Sequence, residues 1–146
     1  MDTNQLNHLL KDYKDCYVGA FPRDHLPKKS ISKRPFALIM NTDVSNNPGE
    51  HWVALFVNKD NIAEYFDSFG RIPLFKEITE FMSLNKINKI IHNKKQVQNA
   101  MSSTCGIFSV LYIKLRCGGL SFEEFVKYFS ENTIRNDIKA YVSLYL

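Results

Sequence analysis

What the chain has little of narrows it first. Its 146 residues include three cysteines, six glycines and one tryptophan. An odd cysteine count offers no paired framework, which argues against a disulfide-stapled secreted scaffold and for a reducing compartment with at least one free thiol. No apolar run approaches the ~18 residues that a membrane-spanning helix needs, so no membrane partner is expected. The opening Met1-Asp2-Thr3-Asn4-Gln5 lacks the pattern of a secretory signal, and an intracellular or packaged protein is the expectation. The three cysteines and four histidines lack the paired short spacings of a metal site, and no glycine-rich loop is present to cradle phosphate. No metal or cofactor is therefore expected. Repeats and low-complexity tracts are also missing.

What is present is globular. Hydrophobic residues make up 45% and charged residues 23%, and eleven Phe and seven Tyr imply an aromatic core. The length suits one domain over residues 1–146, burying about two-thirds of its unfolded surface. The net charge of +4 is mildly basic, with loose clusters at Lys28, Lys29, Lys33 and Arg34 and at Lys86, Lys89, Lys94 and Lys95. No recognition motif accompanies them, so solvated surface is the preferred reading over a nucleic-acid footprint.

Periodicity sketches the elements. Leu6, Leu9, Leu10 and Tyr13 predict an amphipathic helix over residues 3 to 14, with Thr3 as its N-cap. Residues 16 to 35 hold Gly19, Pro22, Pro27 and Pro35 and read as an irregular connector. Phe36 to Met40 is an unbroken apolar run, as in a strand buried on both faces. A polar loop, Asn41 to Glu50, leads to a hairpin of His51 to Val57 and Ile62 to Phe66. Residues 73 to 84 predict a helix with Pro73 in its first turn, and Ile87, Ile90 and Ile91 a further strand. Cys105 to Arg116 reads as a helix, and Ser121 with Glu124 as a capping box for another through Phe129. Thr133 to Leu146 predicts a last helix with Ile134, Ile138, Tyr141 and Val142 on one face. An α+β fold follows, a small mixed sheet with helices on one side.

Three segments in order carry the chemistry: Gly49-Glu50-His51-Trp52, then Tyr65-Phe66-Asp67-Ser68-Phe69-Gly70, then Gln98 through Thr104 to Cys105-Gly106. Cys105 sits where a loop becomes a helix, a place that favours thiolate, the nucleophilic form. Gly106 leaves room beside it for a substrate backbone. Its bland alternative, a buried core cysteine, suits Cys117, and Cys16 reads as structural or incidental. His51 opens a strand, where a base is held rigidly yet reaches a cleft. His8, His25 and His92 lie outside any motif and read as surface residues. Hairpin order puts Asp67 at the same end of the strand pair as His51, where its carboxylate can accept the imidazole Nδ1–H. An Asp capping the Ser68–Gly70 turn is the ordinary alternative. Gln98 offers a side-chain N–H that, with the Cys105 backbone N–H, can hold an oxyanion; Gln96 competes for that role.

With this order of His-Trp, Tyr-x-Asp-x-x-Gly, and Gln seven residues before Cys-Gly, residues 6 to 115 resemble the adenain family, the adenovirus-type maturation cysteine proteases, with relatives in virophages and Polinton-like elements. Tyr17 to Pro27 and Ala37 to Thr42 resemble the family's upstream segments. The resemblance implies a papain-like α+β fold with permuted His-Asp-Gln-Cys order. It implies Cys105 as nucleophile, His51 as general base and acid, Asp67 as orienter and Gln98 as oxyanion donor. It also implies cleavage of capsid or core precursors at Gly-containing small-residue sites, in the host cell, its virus factory and the virion. A monomer is expected. Adenovirus enzymes place Glu where Asp67 stands and are activated by a disulfide-tethered peptide and by DNA. No cysteine lies between Cys16 and Cys105, so the tether does not carry over, and the charge of +4 merely permits weak DNA contact. Ubiquitin-like-modifier proteases of the same clan share the first two blocks but usually place Gln six residues before Cys and Asp directly before it. Here the gap is seven and Thr104 precedes Cys105. A non-catalytic basic binding module is the remaining alternative.

Overall fold

A computed structural model describes residues 1–146. Its centre is a five-stranded mixed sheet in the order β1 (Tyr17–Pro22), β2 (Phe36–Asn41), β3 (Trp52–Val57), β4 (Ile62–Phe66), β5 (Lys89–His92). The β2–β3 and β3–β4 pairs are antiparallel, and the outer pairs β1–β2 and β4–β5 are parallel. The helices are α1 (Thr3–Leu9), α2 (Lys76–Leu84), α3 (Cys105–Cys117), α4 (Phe122–Lys127) and α5 (Thr133–Tyr145).

Period-two alternation divides the sheet between two cores. Phe36, Leu38 and Met40 of β2, with Val53, Leu55 and Val57 of β3, face one side and meet Ile78 and Phe81 of α2. Ala37, Ile39, Ala54, Phe56 and Phe66 face the other and meet α1, α3, α4 and α5. Helices on one side only is therefore corrected. A sheet whose inner strand β2 is buried at every residue has two apolar faces, and each needs a cover. α3 is buried nearly all round, as a helix apolar on every face must be.

Local differences have local causes. The first helix ends at Leu9, and its N-cap is Asp2, whose carboxylate and Gln5 form a reciprocal capping box. The stretch read as a connector contains β1, an edge strand whose register is interrupted between Tyr17 and Ala20 around Gly19 and which closes on Pro22. α2 starts at Lys76, after Pro73. The Ser121–Glu124 capping box forms as expected, although α4 ends at Lys127. The apolar face of α5 points to solvent: Ile134, Ile138, Tyr141 and Val142 are exposed, while Asn136 and Ala140 turn inward.

The cysteines also need correcting. Cys16 and Cys117 form a disulfide across 101 residues of sequence, joining the chain just before β1 to the end of α3. Only the fold brings them together, so an odd count could not exclude the pair. Cys105 is the one free thiol. A buried polar knot holds β4 to α3: Glu64 accepts from the Tyr112 hydroxyl at 2.7 Å and from Arg116 Nε and Nη2 at 2.7 and 2.8 Å. No helix is long and apolar enough to cross a membrane.

Candidate active site

The antiparallel β3–β4 pair sets the site. His51 precedes β3 and Asp67 follows β4, so the two flank the same end of the hairpin. His51 is fixed in the backbone by the Thr42 N–H donating to its carbonyl at 2.8 Å. Asp67 is fixed by Asn93, which accepts from the Asp67 N–H through Oδ1 and donates to the Asp67 carbonyl through Nδ2, at 3.0 and 2.6 Å. Between these clamps His51 Nε2 donates to Asp67 Oδ1 at 2.7 Å, with both side chains almost completely buried. The same oxygen accepts the Phe69 N–H at 2.8 Å, and the Phe69 ring stacks on the imidazole at 4.7 Å. Gly70 then turns the chain with φ +72°; a side chain there would press on the Lys94 carbonyl.

The nitrogen differs from expectation. The carboxylate meets Nε2 rather than Nδ1, so the other ring nitrogen is the one left for sulfur. Cys105 supplies it: its side chain hydrogen-bonds His51 and is supported by the Trp52 and Gly106 backbone N–H groups. Cys105 is the first residue of α3, and Thr104 makes no side-chain cap, so the opening N–H groups stay available to an anion.

Each group shifts the other. Burial pushes the His51 pKa down, but the hydrogen bonds to Asp67 and Cys105 outweigh it and raise the ring to about 9. Burial pushes the Cys105 thiol up, but the bond to His51 and the Trp52 N–H outweigh that and hold it below its ordinary value of 9.0. Both shifts favour thiolate beside imidazolium, an ion pair able to attack a carbonyl and then protonate a leaving amine.

Gln98 is buried on the loop leading to Cys105. Its Nε2 donates to the Ser102 carbonyl at 3.0 Å and to Ser102 Oγ at 3.3 Å, and its Oε1 accepts from Ser68 Oγ. Ser68 also accepts the Val97 and Gln98 N–H groups through its carbonyl, which ties this loop to the turn after Asp67. Gln96 donates to the Gln98 carbonyl. A cleft of about 380 Å³ opens at Cys105, bordered by Trp52, Ser103, Asn41 and Gly49. Asn41 Oδ1 is held by the Asp43 and Glu50 N–H groups. Asp2, Asp43 and Glu50 also line this cleft, and no Lys or Arg does, against the sign of the whole chain. Met1 packs over Gly106, where open space for substrate was expected, and its carbonyl accepts the Trp52 indole N–H at 2.8 Å. Asn93, Ser68 and Asn41 were missed in the sequence; only the Ser68 turn carried a local signal. No cluster of three or more His, Cys, Asp or Glu is placed to hold a metal ion.

A helix-mouth thiol beside an imidazole that a buried carboxylate pins, at an open cleft, defines a thiol protease. Comparison with known proteins agrees on the class and supplies the family. The chain belongs to the Ulp1 protease family, whose C-terminal catalytic domain matches residues 3–145. It is 35% identical over 107 residues to a cysteine protease of African swine fever virus, covering 64% of this chain and 39% of that protein. A protein of another isolate of that virus, named SUMO-1 cysteine protease, is 33% identical over 109 residues, 66% of this chain and 40% of its own length. The chain thus spans about two-fifths of these relatives. The crystal structure of an African swine fever virus protease superimposes with a TM-score of 0.69 at 18% identity, covering 99% of this chain and 67% of that one. That likeness speaks for the fold.

Proposed function

We propose that this chain is a protease domain that cleaves after a small-residue, glycine-containing sequence, and that its substrate class is a protein bearing a ubiquitin-like modifier. The observation that carries the chemistry is the imidazole held between a thiol and a buried carboxylate. Cys105 attacks the carbonyl as thiolate. His51 gives its proton to the departing amine and then takes one from the water that releases the acyl group. Asp67 holds the ring orientation and balances its charge. The Cys105 backbone N–H and the Gln98 amide are the proposed oxyanion donors. Gln98 lies on the loop whose Ser103 borders the cleft; its Nε2 donates to Ser102, so serving the oxyanion requires it to exchange that partner. All four side chains come from one chain, in keeping with a monomer. The modifier is supported by the family and by a relative named for SUMO-1.

A second reading, maturation of capsid or core precursors as by adenain, is favoured by the seven-residue spacing from Gln98 to Cys105 and by Thr104 before the cysteine. One competition experiment tests both. The protein is given a C-terminally extended SUMO-1 precursor and a peptide with a Gly-containing capsid-type site. Faster processing of the precursor is expected. Preference for the peptide moves the assignment to the second reading, and cleavage of neither, with Cys105 unreactive, sinks both.

A further inference from the structure

The loop from Val97 to Thr104 carries one proposed oxyanion donor and delivers the other at its end. Free to move, such a loop could not keep the Gln98 amide and the Cys105 N–H at a fixed separation, because ordering each residue costs backbone entropy. The holding groups come from α5, 33 to 39 residues away in sequence. One carboxylate oxygen of Asp137 accepts both the Asn99 N–H at 3.2 Å and the Thr104 hydroxyl at 3.1 Å. Its neighbour Asn136, almost completely buried, donates to the Val97 carbonyl at 3.1 Å and is itself locked by two contacts to the Ser130 backbone. Asn99 Nδ2 completes the grip on the Thr133 hydroxyl at 3.3 Å. The contacts fall on residues 97 and 99, either side of Gln98, and on 104, immediately before Cys105.

We propose that α5 braces the catalytic loop and that Asp137 is a positioning residue for the oxyanion side of the site, acting through Asn99 and Thr104. This rests on the thiol-protease reading. Asp137 touches neither His51 nor the sulfur, so it bears on acyl transfer and not on thiol ionisation. Alkylation and hydrolysis therefore report on the two kinds of chemistry separately. Alkylation by iodoacetamide needs only the thiolate, and Cys105 is the only free thiol to report it. Peptide hydrolysis needs thiolate and oxyanion donors together.

The test compares Asp137→Ala, Asp137→Asn and Thr104→Val with the unaltered chain for kcat and KM on a fluorogenic Gly-Gly peptide and for the pH profile of iodoacetamide alkylation. Asp137→Ala is expected to lower kcat by about 10- to 100-fold, the range that small misplacement of reacting groups produces, with KM and the alkylation profile unchanged. Asp137→Asn keeps an acceptor oxygen for both donors and is expected to restore most of kcat. Thr104→Val removes one of the two bonds and is expected to fall between. Equal losses in the Ala and Asn variants would overturn the brace, as would alkylation falling in step with kcat, or full kcat in Asp137→Ala. Should Asp137→Ala not fold, full kcat in Thr104→Val overturns it alone. An unaltered chain that alkylates but never hydrolyses the peptide fails the protease reading itself, and the brace falls with it.

Discussion

Replacing Asp67 with asparagine would remove one negative charge while keeping an oxygen where the His51 Nε2–H and the Phe69 N–H now converge, at 2.7 and 2.8 Å. Burial by itself pushes the His51 ring below its ordinary 6.5; Asp67 and Cys105 together raise it to about 9. A rise of that size is worth roughly 3 kcal/mol in favour of the protonated ring. Losing the carboxylate's part of it should lower the ring's titration. The Cys105 midpoint should move up, because a less protonated imidazole supports the thiolate less. Stability follows with a definite sign. A raised histidine pKa stabilises the folded state fully below 6.5, and that contribution disappears as the pH climbs through about 9. The original chain and Asp67→Asn should therefore differ most near pH 6, with the gap narrowing above pH 9. Imidazole titration by NMR and thermal unfolding at the two pH values read both effects. A ring that still titrates near 9 without the carboxylate would mean that Asp67 does not hold it protonated.

Other substitutions test other parts. Cys105→Ala should remove turnover by on the order of 10⁴-fold or more in a peptide hydrolysis assay, with folding retained by circular dichroism. Gln98→Ala, which removes the proposed oxyanion donor, should cost on the order of 10²–10³-fold in kcat. Glu64→Ala leaves the Tyr112 hydroxyl and the Arg116 guanidinium without their buried partner, and urea unfolding should show a loss of roughly 3–5 kcal/mol. Cys117→Ser opens a link across 101 residues and should lower stability by about 2–5 kcal/mol in the same assay, with Cys105 labelling unchanged.

The sequence was legible where the signal was local. The unbroken run Phe36 to Met40, the hairpin, the helix from Cys105 and the Ser121–Glu124 box all rest on short-range pattern, and the structure contains each. The site shared that advantage, because hairpin order alone places His51 and Asp67 at one end. What was hidden depends on distant partners. β1 is a strand because β2 pairs with it, despite Gly19 and Pro22. The Cys16–Cys117 bond, the second apolar face of the sheet and the ring nitrogen that meets Asp67 are all set by packing between remote segments. Asn93 is the sharpest case, a plain polar residue in sequence that becomes a clamp only beside Asp67.

Proteolysis by this chain requires an imidazolium that keeps a helix-mouth sulfur ionised and aimed into the cleft. Intact-mass analysis after exposure to a Gly-Gly peptide vinyl sulfone at neutral pH measures this most directly. A single adduct, mapped to Cys105 and lost in His51→Ala, is the expected result. No adduct, or one that forms equally fast in His51→Ala, would contradict it.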